Sequence, residues 1–352
     1  MICSQLNIGK RPVGPGHPVY IVAELSANHR GDIDHTERTI RAMAESGADA
    51  VKIQTYTADT LTIPCDNEHF RIKGGTLWDG KTLHELYQEA AMPWEWTGHL
   101  KSLAEGLGMD FFSTPFDDSA VDFLESHEMA MHKVASFELV DLPLLRKIAG
   151  TGKPIIASTG MATSAEIEEA VETMRAGGNQ QLALLKCTSA YPAAPEEMDL
   201  RTLVDMTERF SVPVGLSDHT MGATAAVAAV ALGAVIVEKH FTLSRADPGP
   251  DSAFSMEPGE FVEMVDAIRM TEKALGKVNY EVSPKEAKSR VFRRSLFVVE
   301  DVKKGDEFTR QNIRSIRPGA GLHTRHLGEL LGRRAARDVA RGTPVSWELV
   351  AE

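Results

Sequence analysis

The chain has 352 residues, of which 43% are hydrophobic and 25% charged, and a formal net charge of −12. That length and composition belong to a globular protein with a large core and one or two domains. The acidic balance speaks against nucleic acid as the main partner, which would need a basic surface. Three scattered cysteines (Cys3, Cys65 and Cys187) cannot build a disulfide framework and fit a reducing, cytoplasmic setting.

Met1-Ile-Cys-Ser-Gln-Leu-Asn lacks the basic and apolar regions of a signal peptide. The longest apolar run, around Ala223–Val237, is broken by Gly233 and is shorter than the roughly 20 residues that span a bilayer. No membrane role is expected.

In chain order, the first apolar run is Val19-Tyr-Ile-Val-Ala23, ending in Glu24-Leu-Ser-Ala-Asn28-His29. A helical pattern follows over Thr36–Ser46, closed by Gly47. The second run is Ala50-Val51, leading into Lys52-Ile-Gln54-Thr55. The long stretch Thr57–Gly80 reads as a loop; its length and its Trp, Leu and Lys content point to an ordered lid. Helical patterns cover Leu83–Ala90 and Trp94–Leu107. The third strand is Asp110–Thr114, stopped by Pro115, with a helix over Asp118–Ser126. The fourth is Met131–Ser136, followed by helix Leu142–Ala149. The fifth is Pro154–Ala157, ending in Ser158-Thr-Gly160, and Ser164 is the expected N-cap of the next helix. The sixth is Leu182–Leu185, ending in Lys186-Cys-Thr-Ser189-Ala-Tyr191-Pro192, with helix Leu203–Phe210 after it. The seventh closes on Ser217-Asp-His219 and the eighth on Glu238-Lys-His240, separated by an Ala-rich helix between Gly222 and Gly233. Phe261–Leu275 is the last helix.

Eight apolar strands alternating with helices predict a (β/α)8 TIM barrel over residues 1–276. An open doubly wound sheet would want a G-x-G-x-x-G turn after the first strand, and there is none. Residues 277–290 are polar and read as a linker. Residues 291–352 hold short β-runs broken by Gly and Pro, which predicts a small β-rich domain.

The strand ends carry the chemistry. In a barrel they crowd the C-terminal face, where active sites form. A single strand-end histidine is most often a hydrogen-bonded structural residue. Two on adjacent strands, His219 and His240, could bind a divalent metal. Lys52, Lys133, Lys186, Thr114, Ser136, Ser158 and Ser189 form a set of cations and hydroxyls suited to a phosphate or carboxylate. Each lysine singly could instead pair with Glu24 or Glu238, and a Schiff-base lysine is a further reading. An anion cradle beside a carbonyl-polarising metal suggests condensation of a phosphorylated three-carbon donor with an aldehyde. The rival from another class is a metal-dependent barrel hydrolase, which leaves the lysine–hydroxyl set without a purpose.

The strings Glu24-Leu-Ser-Ala-Asn28-His29, Lys52-Ile-Gln54-Thr55, Ser113-Thr114-Pro115-Phe116, Lys133-Val-Ala-Ser136, Ser158-Thr-Gly160-Met161, Cys187-Thr-Ser-Ala-Tyr191-Pro192, Gly215-Leu-Ser-Asp-His219-Thr220, Glu238-Lys-His240-Phe241-Thr242 and Pro248-Gly-Pro-Asp251 resemble the sialic acid (nonulosonic acid) synthase family. The tail, with Val302-Lys-Lys-Gly305, Asn312-Ile313 and Arg317-Pro318-Gly319, resembles the antifreeze-like (SAF) domain of such synthases. Within the family, Ile72-Lys-Gly-Gly-Thr76-Leu-Trp78-Asp-Gly80, Leu86-Tyr-Gln-Glu-Ala and Trp94-Glu-Trp96 resemble the pseudaminic acid synthases rather than the N-acetylneuraminate or legionaminate synthases.

The resemblance implies phosphoenolpyruvate as donor and 2,4-diacetamido-2,4,6-trideoxy-β-L-altropyranose as acceptor. It implies a Mn²⁺ or Mg²⁺ ion on His219 and His240. Donor contacts fall to Lys52, Gln54, Thr114, Lys133, Ser136 and Ser158, and to Ser189, which stands where sialic acid synthases have Asn. Glu138, Tyr191 and Asp251 would face the acceptor, and Glu24 the reacting carbons. Arg317 would reach from the small domain into the partner's site in a domain-swapped homodimer; composition alone would leave it a solvated arginine.

Overall fold

The computed structural model describes residues 5–73, 75 and 78–351. Cys3, and Gly74, Thr76 and Leu77 of the expected lid, lie outside the described residues. The chain divides into two compact units, Met1–Gly276 and Lys277–Glu352.

In the first unit, β1 (Leu6–Ile8) and β2 (Arg11–Val13) pair as an antiparallel ribbon. These three-residue strands are too short to show periodicity in sequence. The next eight are β3 (Tyr20–Glu24), β4 (Ala50–Thr55), β5 (Asp110–Pro115), β6 (His132–Val134), β7 (Ile155–Ser158), β8 (Leu182–Cys187), β9 (Val214–Asp218) and β10 (Ile236–His240). They close into a barrel in chain order, with β10 beside β3 and every neighbour parallel. The fold is therefore a TIM barrel.

Strand side chains alternate in direction, and both faces are apolar because both are covered. Tyr20, Val22, Ala50, Phe112, Met131, Ile156, Ala183, Leu185 and Ile236 form one buried cluster, which Leu6, Ile8 and Val13 of the ribbon join. Residues of opposite parity, such as Ile21, Ala23, Val51, Ile53 and Phe111, pack with the helices. Full burial of such side chains stabilises by about 1.5–3 kcal/mol each. The interior cluster ends where β3, β4, β6 and β10 reach Glu24, Lys52, Lys133 and Glu238, so the polar residues occupy the C-terminal mouth.

Three local expectations differ from the structure. The helix Ser164–Ala176 is capped by Thr163, not Ser164; Thr163 and Glu166 bond reciprocally, so the Thr-x-x-Glu box decides between two cap-competent neighbours. The stretch 57–80 opens with a helical turn, Ala58–Leu61, capped by Thr57. A 3-10 turn, Ser136–Val140, stands between β6 and the helix Leu142–Gly150.

The second unit begins with helical turns inside the expected linker. Ser283 and Glu286 form a capping box on Pro284–Ala287, and Lys288–Phe292 continues as a 3-10 turn. β11 (Ser295–Val298) and β12 (Ile313–Ile316) pair antiparallel. Single bridges such as Val302 to Val339 and Ala335 to Val350 complete a β-rich fold around Leu296, Val298, Phe308, Ile313, Leu330 and Leu349. No helix among the described residues is long and apolar enough to cross a membrane.

Candidate active site

The mouth of the barrel holds a line of paired charges. Glu24 and Lys52 are register partners on β3 and β4, and Lys52 Nζ lies 2.7 Å from Glu24 Oε2 and 3.3 Å from Glu238 Oε1. Lys133 Nζ lies 3.9 Å from that same Glu238 oxygen and donates to Ser158 Oγ at 2.7 Å. All four charged groups are buried, where unpaired charge is costly. Burial would raise Glu238, but Lys133 and Lys52 hold it below the ordinary carboxylate range. Glu24 behaves oppositely: burial outweighs Lys52, and with the Glu238 charge nearby it is pushed up to about 7. Glu24 can therefore give or take a proton near neutrality.

The hydroxyl groups extend this line. Gly160 N–H donates to Ser136 Oγ at 3.0 Å. A Cβ on Gly160 would collide with Ser189 Oγ and lie 2.7 Å from Ser136 Oγ. Glycine is thus what brings the two serines and a backbone N–H together. Thr114, in register with Gln54, is buried, and its Oγ1 has no partner among the described residues. Lys133, Ser158, Ser136, Ser189 and Thr114 are hydrogen-bonding groups of the kind that hold phosphate and carboxylate oxygens.

Lys186 does not join them. Its Nζ turns back to Cys187 O at 3.2 Å and Thr188 Oγ1 at 3.3 Å. The period-2 alternation sends Cys187, not Lys186, to the inside, since Leu185 already faces in. The same parity removes Asp218 and Lys239, which pair with each other at 2.8 Å outside the mouth, with Thr220 N–H on the aspartate at 2.9 Å.

An aromatic group sits beside the charges. The rings of His219 and His240 are 5.3 Å apart, Tyr191 lies 4.4 Å from His219, and Phe254 lies 5.1 Å from His240. His219 Nδ1–H donates to Thr188 O at 2.8 Å, which leaves the Nε2 lone pair for a ligand. Burial drives the His240 pKa well down, so this imidazole is neutral, and its buried Nδ1 has no partner among the described residues. Burial would lower His219, but Cys187 and Thr188 O raise it; once that proton is given up, a ring oriented by Thr188 and the neutral His240 ring together fit a divalent metal. Among the described residues no group of three or more His, Cys, Asp or Glu converges as a closed cage. The donor set is an open one, suited to an ion that takes further oxygen ligands. Cys187 Sγ is 3.9 Å from His219 Nδ1; burial would raise this thiol, but His219 brings it down to about 7.

Asp251 is tied to the first strand. Ser26 Oγ–H donates to Asp251 Oδ2, as does Ala27 N–H at 3.3 Å. Gln54 Nε2 donates to Ser26 Oγ at 3.0 Å and to Glu24 Oε1 at 3.1 Å. Trp78 Nε1–H donates to Pro250 O at 3.1 Å, and its ring is 5.9 Å from Tyr191. Glu138, at the turn after β6, is pushed up to about 7 by burial, and its Oε2 has no partner among the described residues. Arg317 stands in the second unit, exposed, just after β12. Ser26, Cys187 and Phe254 were not singled out from the sequence. Counting parity two residues on from an inward Leu185 would have pointed to Cys187; nothing local marked the other two.

Fold and site together define a barrel protein with a set of lysine and hydroxyl groups, a protonatable carboxyl and an open imidazole pair at its C-terminal mouth. The pattern that defines the NeuB family matches residues 39–280, and that of the SAF domain matches residues 293–351. The chain belongs to the NeuB family and carries a SAF domain. It is 46% identical to the pseudaminic acid synthase of Campylobacter jejuni subsp. jejuni (strain 81-176) over 324 residues, 92% of this chain and 94% of that one. It is also 46% identical to the pseudaminic acid synthase of Helicobacter pylori (strain 26695) over 330 residues, 94% and 97% of the two chains. A solved structure, the spore coat polysaccharide biosynthesis protein SpsE of Bacillus subtilis, is 35% identical, covers 99% of both chains and has a TM-score of 0.68.

Proposed function

We propose that this chain condenses phosphoenolpyruvate with 2,4-diacetamido-2,4,6-trideoxy-β-L-altropyranose and water, releasing pseudaminic acid and phosphate. The observation that carries this reading is the likeness to two pseudaminic acid synthases across nearly the whole chain. The arrangement of the mouth supports it.

Lys52, Lys133, Thr114, Ser136, Ser158 and Ser189 bind the donor's phosphate and carboxylate. Glu138, Tyr191 and Asp251 meet the acceptor, which reacts as its open-chain aldehyde. Donor C3 attacks the aldehyde carbon, and positive charge develops at donor C2. Water adds at C2, and the resulting tetrahedral centre expels phosphate with cleavage of the C–O bond. Glu24, poised near neutral pH and held by Lys52 and Gln54, takes one proton from that water and returns it to the former aldehyde oxygen, which becomes a hydroxyl; the other proton leaves the C2 oxygen with the departing phosphate as the C2 ketone forms. Fixed charges meet the changing charge without reorganisation, which is where stabilisation lowers a barrier. His219 and His240 would hold a Mn²⁺ or Mg²⁺ ion, which when bound polarises the aldehyde oxygen. Trp78, its ring 5.9 Å from that of Tyr191, limits water at the mouth.

We further propose a homodimer in which Arg317 of one copy serves the site of the other. Residues 277–352 carry a formal +6, with sixteen Lys and Arg against ten Asp and Glu, and the remaining 276 residues carry −18. Opposite charge on the two units favours attraction between copies. Val278 and Tyr280 are 89% and 96% exposed, surface that an assembly would cover.

The test is phosphate release by chelator-treated enzyme supplied with Mn²⁺ and phosphoenolpyruvate. The diacetamido altrose, its legionaminate-type relatives and N-acetylmannosamine are compared. Release dependent on both the metal and the altrose is expected. Turnover of N-acetylmannosamine alone would reject the acceptor, and release with none of these sugars would reject the synthase reading.

A further inference from the structure

Ser26 has a φ of 47°. L-residues enter this left-handed region only under strain, whereas glycine does so freely. Strain of this kind persists where surrounding interactions hold it, and it gathers at functional sites. Ser26 lies two residues beyond β3 and is 6% exposed.

Its hydroxyl joins the two sides of the site. The O–H donates to Asp251 Oδ2, and Oγ accepts from Gln54 Nε2 at 3.0 Å. Gln54 reaches Glu24, and Glu24 reaches Lys52. The Ser26 oxygen thus couples the donor-side groups to the carboxylate on the acceptor side.

The loop carrying Asp251 has anchors of its own. Asn28 Nδ2 donates to Phe241 O and to Ser255 Oγ, each at 2.9 Å, and Ser252 Oγ donates to Asn28 Oδ1 at 3.2 Å. Trp78 holds Pro250 O. The path of this loop is therefore secured without Ser26. What Ser26 controls is the rotation of the carboxylate.

We infer that Ser26 is a positioning residue: its hydroxyl, with Ala27 N–H, fixes Asp251 Oδ2 so that Oδ1 accepts from the hydroxyl and amide groups of the acceptor sugar. The inference rests on the proposed synthase reading and deepens it. Ser26 acts through Asp251 and makes no bond to the reacting atoms.

Ser26→Gly in the full-length chain separates this from a structural role. Glycine relieves the backbone and removes the hydroxyl, so thermal stability should hold or rise. The acceptor KM should rise about tenfold to a hundredfold, the effect of losing a hydrogen bond to a charged group. The KM for phosphoenolpyruvate should change by less than about threefold on the same scale of one minor contact. Ser26→Ala keeps the strain and loses the hydroxyl; it should match the glycine variant in acceptor KM and melt lower. Combined with Asp251→Asn, Ser26→Gly should add little further loss in kcat/KM for the acceptor. Wild-type turnover with an unchanged acceptor KM in Ser26→Gly overturns this inference alone, and so does an equal rise in both KM values. Absence of wild-type turnover with every sugar tested overturns the synthase reading and this inference with it.

Discussion

Lys52 and Glu24 stand opposite each other on neighbouring strands, 2.7 Å apart, with the lysine 4% and the glutamate 0% exposed. The lysine also neutralises Glu238. Lys52→Met therefore leaves two carboxylates facing each other in a poorly solvated space. It should cost about 3–5 kcal/mol of stability, the usual penalty for breaking a buried pair. Chemical denaturation checks this. Calorimetry should show weakened phosphoenolpyruvate binding, and Glu238→Gln added to Lys52→Met should recover part of the stability.

Gly160 and Lys186 make opposite predictions. Gly160→Ala drives a methyl into the Ser136 and Ser189 hydroxyls, so donor KM should rise at least about tenfold with the loss of one or more charge-assisted bonds. Lys186→Ala should leave donor KM unchanged, because its ammonium faces away from the mouth. Steady-state kinetics on the two variants decide the matter.

Glu138 links stability to pH. Burial raises its carboxyl from 4.5 to about 7. A carboxyl raised on folding stabilises below its unfolded pKa and loses that contribution as the pH climbs to the folded value. Between about pH 4.5 and about 7 the wild-type protein should therefore lose stability relative to Glu138→Gln. The difference is bounded by about 3 kcal/mol. Thermal melts of both proteins at pH 5 and pH 7.5 measure it; parallel curves would show that Glu138 titrates normally.

Metal removal tests the imidazole pair. Chelator-treated enzyme should be inactive and regain turnover with Mn²⁺ or Mg²⁺. Mn²⁺ followed by electron paramagnetic resonance should bind the wild-type chain and lose that affinity in His240→Ala. The His240 ring is neutral and its Nδ1 has no partner among the described residues, so the ring is available to a metal. Retention of Mn²⁺ by His240→Ala would place the ion elsewhere.

Arg317→Ala should raise the acceptor KM while circular dichroism and melting of the barrel stay unchanged. Light scattering should find a dimer whose association weakens with salt, because the units carry −18 and +6. A monomer at every salt concentration would remove the basis for sharing Arg317.

Much of the mouth was legible because a parallel barrel reduces to a one-dimensional rule. Each apolar strand ends in a polar residue, and all such ends share one face. That rule found Glu24, Lys52, Lys133, Ser158, His219 and His240. It failed at Lys186, Asp218 and Lys239, where a residue one step out of register faces the other way. It also missed Ser26, whose role depends on Asp251, 225 residues later in the chain.

The sequence by itself determined the alternation of strand and helix, the polar character of every strand end and the break into a small β-rich domain, because burial and periodicity act over a few residues at a time. Only the tertiary structure decided which of two adjacent side chains enters the barrel, which of two carboxyls beside Lys52 is raised toward neutral pH, and that a strained serine ties Asp251 to Gln54. Those outcomes depend on distances between strands far apart in the chain, and on how much water each group has lost.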